Sequence, residues 1–323
     1  MFSKTGSRKL SQDNHQLISI EAEDDTDVVL QVHLWPVTDA NGWVHIMHGV
    51  GEHGARYGAL ARALNAVGYN VSVGDYRGHG LTCVSDEQRG HVADHDGWNK
   101  LVADQATIIG HLQGQWAQPL TIFGHSMGTF VATHVVQRYA KRLKPHLNGL
   151  VLSASSYRPP WLYRLALLPT VFERWRQGPL GRSDLLERLS FGYFNNAFKP
   201  ARTPKDWISS DDAVVDAYIA DPLAGHGISN QFWFDWLQGL SDLHDPESMA
   251  KIDPHLPIYM FSGSKDPVGN QGGYVVALER ALKRAGAQDV TYTLYPNGRH
   301  EMINEPNKQQ VIDDLLAWLG KQP

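Results

Sequence analysis

The stretch "LTIFGHSMGTF", residues 120–130, sets Ser126 between Gly124 and Gly128, with an apolar run leading in and a run of small residues leading out. A serine on a tight turn from a strand into a helix is exposed. It also sits at a helix N-terminus, whose amides and dipole favour developing negative charge. Side chains at positions 124 and 128 would collide with the adjoining strand and helix, which accounts for the two glycines. The expectation is a nucleophile elbow, provided a strand precedes the turn and a helix follows it. A chance cluster of glycine and serine is the alternative that the surrounding pattern has to remove.

Outward from this turn, strand and helix alternate. "WVHIMHG" (43–49) reads as a strand, and "ARYGALARALNAVG" (55–68) as a helix that stops at Gly68. "YNVSVGDYRG" (69–78) is a strand, residues 98–113 a helix, "PLTIFGHS" a strand, and "GTFVATHVVQRYAKRL" the helix after it. "LNGLVLSAS" (147–155) is a further strand. Upstream, "HQLISIEAED" and "DVVLQVHLWPV" read as a hairpin-like pair. The rhythm breaks after Ser156, and residues 157–228 hold prolines, many aromatics and helical fragments. It resumes with a helix near 229–241, a strand and loop at 256–267, a helix at 272–286, a strand and loop at 289–300, and a closing helix at 307–320.

Such alternation indicates a parallel sheet with helices on both faces. The expected fold is α/β, with a mostly parallel eight-stranded sheet. Its core would comprise residues 15–156 and 229–323, with a helical cap inserted at 157–228 and a flexible tail at 1–14.

Composition narrows the function classes. The chain has 323 residues, 42% of them apolar, and a net charge of −5. There is no basic excess to recommend a nucleic-acid partner. The sole cysteine, Cys83, excludes an intrachain disulfide and fits a reducing, cytoplasmic setting. The N-terminal stretch lacks the apolar region of a signal peptide, and nowhere do eighteen apolar residues run together, so no transmembrane helix is expected. The "NVS" triplet at Asn70 falls in a buried strand and reads as chance rather than a glycosylation acceptor.

A nucleophilic serine needs a base, and the base an orienting group. On α/β-hydrolases the chain order is nucleophile, acid, histidine. The strand "GLVLSAS" carries no acid at its C-terminal end, whereas "SGSKDP" puts Asp266 just beyond the next core strand. Of the 16 histidines only His300 lies after Asp266, in the loop that follows the last strand. Order and placement therefore select Ser126, Asp266 and His300. "HGVGEHG" (48–54) admits two readings. It contains G-x-G-x-x-G between a strand and a helix, and Asp75 ends the next strand, as a dinucleotide fingerprint requires. It also suits an oxyanion loop, with Gly49 turning the backbone towards the nucleophile. The hydrolase reading explains all three loops together, whereas the dinucleotide reading leaves "GHSMG" and the Asp266–His300 order unexplained. His91 and His95 have helical metal-ligand spacing but no third ligand, which favours a structural role. Cys83 receives no role.

"HGVGEHGARY", "GDYRGHG", "GHSMG", "SGSKDP" and "GRHEMINE" occur in order and resemble the monoglyceride lipase and lysophospholipase branch of the α/β-hydrolase fold, often labelled serine aminopeptidase-like. The resemblance runs from about residue 25 to 320. It implies Ser126 as nucleophile, Asp266 as acid and His300 as base. It also implies backbone N–H groups of Val50 and Met127 as the oxyanion hole. Glu52 and Arg56 match one family block, and Asp75, Arg77, Gly78 and His79 another. With His48 and Gly49, they are expected to hold the loops around the site.

The cap stretches "PPWLYRLALLPTVFERW" (159–175) and "FGYFNNAF" (191–198), with Trp207, fall where such proteins roof a tunnel for an acyl chain. The implied activity is hydrolysis of a small-molecule acyl ester, with no metal or organic cofactor. Transient membrane contact through the cap is expected, and the oligomeric state stays open. A thioesterase or small-ester carboxylesterase on the same triad is the alternative.

Overall fold

The computed structural model describes residues 8–9, 14–25, 27–143 and 146–322. The strands are β1 (Arg8–Lys9), β2 (Gln16–Glu21), β3 (Val29–Trp35), β4 (Gly42–Met47), β5 (Tyr69–Gly74), β6 (Leu120–His125), β7 (Leu147–Ser153), β8 (Ile258–Gly263) and β9 (Val290–Tyr295), and apart from β1 they are short runs carrying β-branched and aromatic residues. Strands β4, β6 and β8 are buried along their whole length, as strands covered on both faces must be. Among the described residues the sheet has nine strands in the order β1-β2-β3-β5-β4-β6-β7-β8-β9. Pairings from β1 to β5 are antiparallel and the rest parallel. These are the eight strands expected plus the two-residue edge strand β1. That strand falls inside the stretch expected as a flexible tail; the remainder of the stretch, apart from Asn14, lies outside the described residues.

Helices α1 (Gly58–Ala66), α2 (Gly97–Gln113) and α3 (Met127–Leu143) connect the first parallel strands. The segment between β7 and the returning helix holds α4 (Pro160–Gln177), α5 (Asp184–Leu189), α6 (Phe191–Asn195) and α7 (Asp212–Ala220), followed by α8 (Asn230–Leu243). Their starts are marked in the sequence. Pro160 opens α4, and Ser183, Asp211 and Ser229 cap α5, α7 and α8 with side-chain oxygens. The chain closes with α9 (Pro246–Met249), α10 (Gly273–Arg284) and α11 (Lys308–Leu319).

One face of the sheet is packed by α2, α3 and α10 through residues such as Leu101, Val131 and Leu278, with α8 lying on α2 and α3. The other is packed by α1 and α11 through Leu60, Leu315 and Trp318. The chain passes from β4 to β5 on one side and then returns to pair β6 on the other. This reversal opens a crevice at the carboxyl ends of β4 and β6, where open α/β sheets carry their sites. "HGVGEHG" and "GHSMG" both leave the sheet there.

Candidate active site

Strand β6 ends at His125 and α3 begins at Met127, leaving Ser126 between them with φ +52°. For a residue with a side chain this left-handed conformation costs about 1–2 kcal/mol. Its neighbours hold it there. The Ser126 N–H donates to the Ser153 carbonyl at 2.9 Å. The Ser126 carbonyl accepts from the Thr129 N–H at 2.9 Å and from Thr129 Oγ1 at 2.7 Å. A Cβ on Gly124 would stand 2.4 Å from the Gly128 carbonyl oxygen, and one on Gly128 only 2.0 Å from that of Met47. Both glycines are therefore steric requirements of this turn, and neither is composition noise.

The loops after β8 and β9 lie against one another. A Cβ on Gly263 would meet the Gly298 carbonyl oxygen at 2.0 Å, and the Lys265 N–H donates to that carbonyl at 2.9 Å. This approach brings Asp266 to His300. Nδ1 of His300 lies 3.0 Å and 3.1 Å from the two carboxylate oxygens. Asp266 is fully buried, and it also accepts from Ser262 Oγ at 2.9 Å and from the Val268 N–H at 3.0 Å. With a carboxylate on one side, His300 carries its proton on Nδ1 and presents Nε2 as an acceptor, a tautomer inferred from the network. Burial alone would push His300 down. The Asp266 carboxylate outweighs that and raises it above the usual histidine value of 6.5. The His125 ring, 5.0 Å away, is pushed down to about 4 by burial and by His300, so it stays neutral. The Trp207 ring covers His300 at 4.9 Å.

The loop after β4 reaches the elbow from the other side. A Cβ on Gly49 would lie 2.8 Å from a Glu52 carboxylate oxygen and 3.3 Å from Ser126 Cβ, so a side chain here would crowd both. The Gly49 N–H is taken by the Glu52 carboxylate, whereas among the described residues no acceptor engages the next amide, Val50. Met127 opens α3, so its N–H has no helical acceptor. Glu52 is held by the Tyr57 hydroxyl at 2.8 Å and by Arg56. Arg56 grips Glu301 through two bonds of 2.9 Å and 2.8 Å. Burial would raise the Glu52 carboxyl, but Arg56 beside it brings it down to about 2, so it stays ionised.

The remaining loop residues point inward. His48 donates from Nδ1 to the Gly49 carbonyl at 2.7 Å, and its Nε2 accepts from the Tyr76 N–H at 3.2 Å. Burial lowers its pKa, consistent with the neutral ring this pattern requires. Asp75 accepts from the Gly54 N–H at 2.6 Å and the Leu81 N–H at 2.7 Å. Burial would raise it, but hydrogen bonding to His33 and the charges around it bring it down to about 2. Its oxygens are consumed inside the fold, so it cannot serve a ribose, and this removes the dinucleotide reading of "GVGEHG". Arg77 binds Asp104 at 2.6 Å and 2.8 Å and also reaches Asp24. His79 donates to the Arg77 carbonyl at 3.0 Å. His91 bonds to Ser229 at 2.9 Å and to Asp94, and no cluster of metal ligands exists among the described residues. The Asn70 side-chain oxygen, Oδ1, accepts from the Val37 N–H inside the fold.

Sequence reasoning assigned no role to Ser262, Tyr57, Tyr218 or Glu301. Glu301 was within reach, since it directly follows His300 in "GRHEMINE". Its partner Arg56 stands 245 residues away, a distance no local pattern spans. Tyr218 and Gly225, from the helical segment between β7 and α8, both donate to the Gly51 carbonyl, at 3.0 Å and 2.8 Å, and so seat that segment on the loop after β4.

The chain is similar to the monoacylglycerol lipase of Mycolicibacterium smegmatis, with 29% identity over 286 residues, 88% of this chain and 90% of the relative. It is 26% identical to the Homo sapiens monoglyceride lipase, covering 89% of this chain and 85% of that protein. Among solved structures, a thermostable carboxyl esterase from Bacillus coagulans in complex with glycerol superposes with a TM-score of 0.85 at 26% identity, over 95% of this chain and 98% of the other. Residues 38–307 match the family described as serine aminopeptidase, S33. With most of the chain spanned by that match and the elbow at the carboxyl end of β6, the chain belongs to the serine aminopeptidase S33 family of α/β-hydrolases.

Proposed function

We propose that the chain is a serine hydrolase that cleaves carboxylic esters of acyl chains, of the monoacylglycerol or lysophospholipid type. The reading rests on the buried Asp266–His300 pair lying at the same sheet end as a strained Ser126 that lines a largely apolar cavity. Ser126 Oγ attacks the ester carbonyl while His300 Nε2 takes its proton. Asp266 holds the imidazole tautomer and stabilises the imidazolium. The N–H groups of Val50 and Met127 receive the oxyanion, each worth on the order of 10²–10³ in rate. His300 then protonates the leaving alcohol and later activates the water that releases the acid. Glu52 fixes Gly49, and so the direction of the Val50 amide, while Arg56 and Glu301 hold Glu52.

The acyl chain occupies the cavity over Ser126, of about 120 Å³, whose walls include Phe130, Phe191, Phe194, Trp207, Trp233 and Trp236. These walls come from the core and from residues 157–228, which act as the cap. A larger cleft of about 420 Å³, lined by Asn41, Tyr69 and Leu316, lies at the opposite ends of the strands and offers no chemistry. A short-chain esterase or thioesterase would use the same triad. Para-nitrophenyl esters of rising chain length separate the readings. The expected result is a kcat/KM that climbs from acetate to octanoate, and a preference for acetate would overturn the acyl-chain reading.

The cap also explains how such a protein meets a lipid. Along α4, Trp161, Leu165, Leu168, Phe172 and Trp175 recur at helical spacing and face solvent, with Trp175 80% and Leu168 65% exposed. A soluble surface rarely leaves so continuous an apolar row uncovered. The helix carries Arg164, Arg174 and Arg176 against one acid, Glu173, which suits a surface of anionic lipid. Among the described residues no helix is long and apolar enough to cross a membrane, so the contact is peripheral. Replacing Trp161 and Trp175 together by alanine is expected to lower co-sedimentation with phosphatidylglycerol vesicles at least tenfold. Hydrolysis of a dissolved para-nitrophenyl ester should stay within twofold. Undiminished vesicle binding would remove this role.

A further inference from the structure

Arg158 stands just before α4 and lines the same cavity as Ser126. It is half-buried, and its guanidinium lies over the Tyr274 ring at 5.0 Å. Among the described residues no carboxylate comes within ion-pair distance of it, and its side-chain N–H groups have no protein acceptor. The arginines of the loop network differ. Arg56 is bound by Glu52 and Glu301, and Arg77 by Asp24 and Asp104. Where no acid is at hand, arginines elsewhere use protein oxygens, as Arg299 does with the Asp206 and Ser209 carbonyls and Arg164 with Ser241. Arg174 is likewise stacked, over Phe234, but it does not line the cavity.

A lone cation in a largely apolar wall, with its donors unused, has a chemical consequence. The guanidinium fork matches a carboxylate or a phosphate through two parallel bonds. The contact with the Tyr274 ring restrains the guanidinium, which reduces the ordering cost of binding. The aromatic surroundings lower the local dielectric and strengthen any ion pair formed there. We propose that Arg158 forms a subsite for an anionic group on the ester substrate, so that the preferred substrates are acyl esters bearing a phosphate or a carboxylate. This rests on the ester-hydrolase reading of the same cavity.

Two matched pairs test it. One is monododecanoylglycerol and its phosphate monoester. The other is methyl dodecanoate and the monomethyl ester of dodecanedioic acid. The readout is the ratio of kcat/KM for the anionic member to that for the neutral one, in the wild type, Arg158→Met and Arg158→Lys. In one pair the ratio is expected to fall about tenfold to a hundredfold in Arg158→Met, the range for a hydrogen bond to a charged group, and to recover partly in Arg158→Lys. The responding pair tells whether the anion is the phosphate of a headgroup or a carboxylate at the chain's far end. A ratio unchanged in both pairs, or an equal loss on both members, overturns the subsite and leaves the hydrolase standing. A wild type that cleaves none of the four esters and takes up no fluorophosphonate would instead bring down the hydrolase reading itself.

Discussion

Replacing Ser126 by alanine is expected to abolish labelling by a fluorophosphonate and to lower kcat about 10⁶-fold, the scale seen when a triad nucleophile is removed. The same change should leave the fold intact. The bonds that hold position 126 run through its backbone, to Ser153 and Thr129, and none is made by the hydroxyl that is lost. The pentamer keeps both glycines, so the contacts of Gly124 with Gly128 and of Gly128 with Met47 persist. Ser126→Gly extends the argument. With φ at +52°, glycine relieves the left-handed strain, so this variant should unfold at a denaturant midpoint no lower than that of Ser126→Ala. Two outcomes would sink the account. Retained labelling in the alanine variant would place the nucleophile elsewhere, and loss of cooperative unfolding would make the hydroxyl structural.

The elbow could be read from the sequence because its requirements are local. A strand, a one-residue turn and a helix must follow within a few positions, and the sterics at 124 and 128 admit only glycine. Asp266 and His300 were legible for a different reason. They sit at the ends of core strands, and strand order in an alternating chain is readable even when the contacts are not. What stayed hidden depends on long-range approach or on orientation. Glu301 looks like a surface charge until the loop after β9 folds onto the turn before α1 and brings it to Arg56. The apolar residues of α4 have a helical period in the sequence, but a period alone does not tell whether the stripe faces a core or the solvent. Here it faces solvent, because α4 packs on α8 through its other side. Arg158 was invisible on the same grounds, since only the cavity reveals that a cation lines it.

Asp266→Asn is the next largest expected effect, and it separates the acid from its neighbours. The carboxylate accepts from Ser262, from the Val268 amide and from His300, which suits an anion with only acceptors to offer. An asparagine must aim two N–H donors into this ring of donors. The relief available is a switch of the His300 tautomer, with Nδ1 becoming the acceptor and Nε2 taking the proton. In that state His300 cannot receive the Ser126 proton, and kcat should fall about 10⁴-fold, as for other triads. The pH profile supplies a readout that a loss of packing would not reproduce. His300 works as a base only when neutral, so kcat/KM falls as pH drops through its pKa. Asp266 holds that pKa above 6.5 against the opposing effect of burial, so the wild-type acid limb should lie above 6.5. Without the carboxylate, burial prevails, and the limb of the residual activity should move to lower pH. Glu301 cannot substitute, because both of its oxygens are bound by Arg56. An Asp266→Asn protein that stays folded with kcat within tenfold of wild type, or with an acid limb that does not move, would show that another group orients His300.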